Sequence, residues 1–109
     1  MTGPIEETFS GRIVQVALSI PSGYVSTYGD IAAAAGGSGQ AARSVNGILV
    51  RACRSGQEGI PFHRIVYSSG QAWLKEGYQG KRKKLLASEG IEINQEGYVV
   101  DFLSKRWEF

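Results

Sequence analysis

The segment from Ser26 to Cys53 admits few architectures. Four consecutive alanines, Ala32–Ala35, favour a helix strongly, and Gly36-Gly37 supplies the glycine with which helices close. Ser26 or Thr27 is suited to cap its start. After the tight Gly36–Gly39 turn, apolar residues recur at Ala41, Ala42, Val45, Ile48, Leu49 and Ala52, which is the spacing of an amphipathic helix over Gln40–Cys53. A helix, a short glycine turn and a second helix make the helix-turn-helix pattern.

The flanks read as shorter elements. Ile13, Val14, Ala17 and Leu18 repeat at helical spacing after the cap candidates Thr8 and Ser10, so a helix is expected from about Glu6 to Ile20, stopping before Pro21. Downstream, Ile60–Gly70 reads as a short extended segment ending in a Ser-Gly turn, and Gln71–Lys81 as a flexible wing with Trp73, Lys75 and Tyr78 outward. Lys81–Ser88 is a last helix closed by Gly90, with Leu85 and Leu86 inward. Ile91–Asn94 and Gly97–Phe102 alternate weakly, as a small hairpin would, and Leu103–Phe109 is expected to pack as an apolar tail. The fold class that follows is mostly α with a small β element, a winged helix-turn-helix-like domain spanning 1–109 as a single unit. The 15 glycines are scattered without a period, which excludes collagen, solenoid and low-complexity readings.

With one Cys and one His, the 109-residue chain has neither a disulfide framework nor a zinc site, and no metal or cofactor is expected. No apolar stretch approaches the ~20 residues of a membrane span, and the first residues lack the pattern of a signal peptide. A soluble, cytoplasmic monomer is expected, nucleoid-associated if bacterial. The net charge of +2 is segregated. From Arg43 to Lys84 nine basic residues face two acidic ones, +7, whereas the remainder carries three bases against eight acids, −5. A field divided in this way suits a polyanion on one face. The run Lys81–Lys84 is equally compatible with solvation of a helix start, although bases at that end oppose the helix dipole. The first turn of the second helix, Gln40, Ala41, Ala42 and Arg43, lacks the long polar side chains that read the major groove. Small residues plus one Arg fit minor-groove entry or an extruded base better, and the alanines alone are also compatible with core packing.

Four motifs, Pro21–Gly36, Gln40–Ile48, Ile60–Gly70 and Leu85–Ile93, resemble in order and spacing the DNA-binding domain of O6-alkylguanine-DNA alkyltransferases. The resemblance runs from about Phe9 to Ile93. Active members carry Pro-Cys-His-Arg, whose Cys accepts the alkyl group; here the tetrapeptide is Pro61-Phe62-His63-Arg64. The chain is therefore similar to the alkyltransferase-like branch, in which that Cys is replaced, most often by Trp. The alkyl transfer needs a thiolate, and Phe62 offers only a flat apolar surface, against which a base is worth ~1–3 kcal/mol.

Carried over residue by residue, the resemblance implies a vestigial relay at His63 and Glu89, with structural roles and hydrogen-bond partners, and an architectural Arg64 on backbone or carboxylate. It implies that Tyr28 helps rotate the nucleotide out of the duplex and that Arg43 enters the stack in place of the extruded base. Ser26, Thr27, Gly39, Gln40 and Ala41 lie at helix starts facing phosphates. Phe62, Tyr67, Ser68, Ser69 and Lys75 line the lesion pocket, and Tyr24 is a loop contact. The loop before Phe62 is longer than in the alkyltransferases and lacks their Asn-Pro hinge, so its contacts do not carry over. Cys53, nine residues before Phe62 on a predicted helix, is expected to be a small buried hydrophobe. The implied function is binding of duplex DNA containing O6-alkylguanine, with base flipping into a pocket, no alkyl transfer, and presentation to nucleotide excision repair proteins of the Uvr type. Two alternatives stay open: residual alkyl transfer through Cys53, and a sequence-specific helix-turn-helix regulator.

Overall fold

The computed structural model describes residues 8–72 and 79–109. They belong to two compact units, one of Met1–Ser19, Tyr28–Pro61 and Phe109, the other of Ile20–Thr27 and Phe62–Glu108.

The first unit is helical. α1 (Phe9–Leu18) is capped by Thr8, whose hydroxyl accepts from the Gly11 N–H at 2.9 Å. It is shorter than periodicity predicts at its C-terminal end, because the Ser19 hydroxyl donates to the Val16 carbonyl at 2.6 Å and finishes the last turn. α2 (Tyr28–Ala34) ends as the glycines require: Gly36 sits at φ +90° and the Gly37 N–H returns to the Ala32 carbonyl at 2.8 Å. Arg12 of α1 donates from Nε to the Ala35 carbonyl at 2.7 Å, satisfying a group the helix end leaves open. A 3-10 turn, Gly39–Ala41, leads into α3 (Ala42–Arg54). The three helices pack through Ile13 and Ala17, Ile31 and Ala32, and Val45, Ile48 and Leu49, all buried. The helix-turn-helix is thus α2, the glycine turn and α3.

The second unit is built around a two-stranded parallel sheet. β1 (Ser26–Thr27) pairs with β2 (Ile65–Val66) in the register Ser26–Ile65 and Thr27–Val66. Ser26 and Thr27 are therefore strand residues, buried to 0% and 1% exposure; the Ser26 hydroxyl has no hydrogen-bond partner among the described residues and caps nothing, while Thr27 directly precedes α2. The capping propensity of Ser26 yields to its pairing with Ile65, whereas the extended backbone of Thr27 is the one a residue at a helix start adopts. Isolated bridges extend this framework: Val66–Ala72, Gln71–Tyr98, Ile93–Val99 and Val25–Arg106. The core consists of Val25, Val66, Ala72, Leu86, Ile91 and Val99, with Ile93 and Phe102 packed on it.

Several expectations change here. Phe62–Arg64 is a 3-10 turn, and only Ile65–Val66 of the expected extended segment is strand. α4 (Gln79–Ser88) points Leu86 inward but leaves Leu85 exposed. The hairpin is a single bridge around a tight turn, in which the Asn94 Oδ1 accepts from the N–H groups of Glu96 and Tyr98 at 3.0 and 2.9 Å. In the expected tail, Leu103 of α5 (Phe102–Lys105) is 82% exposed. Trp107 does pack, its N–H donating to the Val25 carbonyl at 2.8 Å and its ring meeting Tyr24 edge-on at 5.2 Å. Of the wing, Gln71 and Ala72 form bridges, while Trp73, Lys75 and Tyr78 lie outside the described residues. No helix among the described residues is long and apolar enough to cross a membrane, and no group of His, Cys, Asp and Glu there could hold a metal ion.

Candidate nucleic-acid interface

The 3-10 turn Phe62–Arg64 is held at each of its three residues. The Phe62 carbonyl accepts from Arg82 Nη1 of α4 at 3.4 Å. His63 donates from Nε2 to Glu89 Oε2 at 2.9 Å. Arg64 reaches furthest: Nε and Nη2 grip the two Glu89 oxygens at 2.9 and 2.6 Å, and Nη1 donates to the Ile20 carbonyl at 3.0 Å. The Gly23 N–H also points at Glu89 Oε1, at 3.5 Å. Glu89 follows α4 directly, and the chain turns after it through Gly90 at φ +80°. The Arg64 guanidinium, then His63, hold the Glu89 carboxyl at a pKa of about 2 against the opposing effect of its burial. His63 and Arg64 are turned inward onto a saturated carboxylate, which is a scaffold for the turn. Phe62 is half-buried.

The chain then enters a turn that presents Tyr67, Ser68 and Ser69, all exposed, and closes when the Gly70 N–H donates to the Tyr67 carbonyl at 2.8 Å. Gly70 adopts φ +87° with the Phe102 ring 2.9 Å from where a Cβ would sit. Phe62 and the Tyr67–Ser69 turn thus belong to one unit and flank β2. Lys75 lies outside the described residues. Ser26 and Thr27 belong to the same unit, their side chains buried just before α2.

In the other unit, Arg43 is exposed on the first turn of α3, directly after Gly39–Ala41. Gln40 is exposed and Ala41 half-buried, so small side chains and one cation stand at the start of the second helix. Tyr28 opens α2, half-buried, and Tyr24 is exposed in the loop before β1. Cys53 corrects an expectation: it is exposed in the last turn of α3, because Val45, Ile48 and Leu49 take the buried face. A groove of about 640 Å³ along α1 and α3, lined by Val14, Gln15, Ile48, Arg51 and Ala52 among others, includes none of the predicted pocket residues.

The family model described as the DNA-binding domain of 6-O-methylguanine DNA methyltransferase matches residues 8–91. The chain belongs to this family, in its alkyltransferase-like branch. A relative named DNA base-flipping protein from Escherichia coli (strain K12) is 36% identical over 104 residues, covering 95% of this chain and 78% of the relative. The methylated-DNA–protein-cysteine methyltransferase of Methanothermobacter thermautotrophicus is 40% identical over 88 residues, but this chain spans only 46% of it. Among solved structures, S. pombe Atl1 in complex with damaged DNA containing O6-carboxymethylguanine superposes with a TM-score of 0.76 at 28% identity, covering 93% of this chain and 95% of Atl1.

For this alkyltransferase-like chain, reasoning from sequence missed Arg82 as a partner of the Phe62 turn. The signal was present but ambiguous. Arg82 stands inside the run Lys81–Lys84, and only its spacing of four residues from Leu86 marks it as the member of that run on the buried flank.

Proposed function

We propose that the protein binds duplex DNA carrying O6-alkylguanine, extrudes the damaged base against Phe62 and holds it without accepting the alkyl group. The observation that carries this reading is the clamped turn. His63 and Arg64 are committed to Glu89, and the residue between Pro61 and His63 is an aromatic ring with no lone pair to attack an alkyl carbon. Arg43, exposed after Gly39–Ala41, fills the gap left by the base, and Tyr28 assists its rotation. Tyr67, Ser68, Ser69 and Lys75 contribute to the pocket wall. The relatives named DNA base-flipping protein, and Atl1 bound to damaged DNA, support this reading. The held complex marks the lesion for nucleotide excision repair proteins of the Uvr type.

The experiment is to incubate the protein with a duplex whose O6-methyl group is radiolabelled. Label that remains wholly on the DNA while the complex is retained is the expected result. Label that moves to the protein, and that is lost in Cys53→Ser, makes the protein an enzyme instead.

A further inference from the structure

α4 carries a cationic surface distinct from the start of α3. At about 100° per residue, Arg82 and Leu86 share one flank of this helix, and the structure turns that flank inward. Leu86 is fully buried, and Arg82 is half-buried with Nη1 on the Phe62 carbonyl. Lys81, Lys83 and Lys84 spread over the remaining arc, all exposed, and none has an ion pair among the described residues. Lys81 and Lys84, at i and i+3, repel each other, and Lys81 in the first turn opposes the helix dipole, so the stability of α4 does not explain them. Lys83 also lines a groove of about 300 Å³ with Glu92, which offsets its charge. Lys81 and Lys84, three residues apart, make the outward pair.

We infer that α4 is a phosphate-binding element of the DNA interface. Lys81 and Lys84 hold backbone phosphates of the duplex. On the opposite flank of the same turn, Arg82 keeps the Phe62 carbonyl, and with it the ring, seated against the base. The inference rests on the reading of Phe62 as a lesion-pocket residue. Duplex DNA is favoured over an acidic protein surface because the same helical turn is bonded to the backbone of that residue.

The test is titration of the wild type, the double variant Lys81→Gln/Lys84→Gln, Arg82→Gln and Arg82→Lys, with duplexes with and without O6-methylguanine over a range of KCl. Thermal melts verify that each variant is folded. Each phosphate contact adds about −0.9 to the slope of log affinity against log salt. The double variant is expected to be shallower by about 1.8 on both duplexes. The Arg82 variants are expected to lose about three- to tenfold of the preference for the damaged duplex, the worth of one hydrogen bond. Because Arg82→Lys keeps the charge, its loss of preference is expected without a change of slope. An unchanged slope in the double variant removes α4 from the DNA interface and leaves its lysines to an acidic protein. An unchanged preference in both Arg82 variants removes the link to Phe62. A wild type that binds both duplexes equally contradicts the lesion-pocket reading itself, while the slope of the double variant still decides the phosphate contact.

Discussion

Arg64 holds Glu89 by two parallel hydrogen bonds, Nε to Oε1 at 2.9 Å and Nη2 to Oε2 at 2.6 Å. This fork-on-carboxylate geometry is the strong form of an ion pair, and it ties the turn that carries Phe62 to the end of α4. The side chains are 20% and 11% exposed, so the pair is only weakly screened.

The pair makes stability depend on acid. Glu89 titrates at about 2 in the folded chain and near 4.5 when unperturbed. A carboxyl whose folded pKa is depressed contributes fully above its unfolded value and loses that contribution as pH falls through the folded one. Stability on the order of 3 kcal/mol is therefore expected at neutral pH and is lost between about pH 4.5 and 2. Thermal melts across that range should show the loss in the wild type and a smaller one in Glu89→Gln, which starts less stable. Parallel curves for the two proteins would count against the role given to Glu89.

Ser26 presents the opposite case. Its hydroxyl is buried, and among the described residues it has no hydrogen-bond partner. Removing it relieves an uncompensated desolvation, so Ser26→Ala is expected to be neutral or to stabilise by up to about 1 kcal/mol. Denaturant unfolding measures this, and a loss larger than ~1 kcal/mol would mean that the hydroxyl is satisfied.

Gly70 is expected to tolerate no side chain. It combines φ +87° with the Phe102 ring 2.9 Å from a Cβ position. Gly70→Ala pays for both the left-handed backbone and the clash, and should destabilise by about 2 kcal/mol or more in chemical denaturation. A variant as stable as the wild type would show that Phe102 moves aside freely.

The helix-turn-helix was legible in the sequence because local and tertiary preferences agree there. The Ala32–Ala35 run, the glycine at φ +90° and the apolar spacing of α3 all demand the observed structure. The site around Phe62 was legible only through its motif. The β-branched neighbours Ile65 and Val66 suggest extension for the whole segment, yet the bonds from His63 and Arg64 to Glu89 wind Phe62–Arg64 into a 3-10 turn. Ser26 departs from its local preference for a related reason: a cap is a local signal, and at Ser26 it loses to pairing with Ile65, 39 positions away. Leu85 and Leu86 are indistinguishable by composition, and only the packing of α4 selects Leu86.

Arg43 separates lesion recognition from general DNA affinity. If it replaces the extruded base, Arg43→Ala should weaken binding to O6-methylguanine duplex about tenfold, within the ~1–3 kcal/mol of a specific contact, and weaken undamaged duplex much less. Equal losses on both duplexes would reduce Arg43 to a phosphate contact.

Recognition of O6-alkylguanine in duplex DNA is read by equilibrium titration of two duplexes identical except for one O6-methylguanine, at fixed salt. Tighter binding of the damaged duplex by about tenfold is expected, the scale of one base–aromatic contact. Equal affinity for the two duplexes would contradict it.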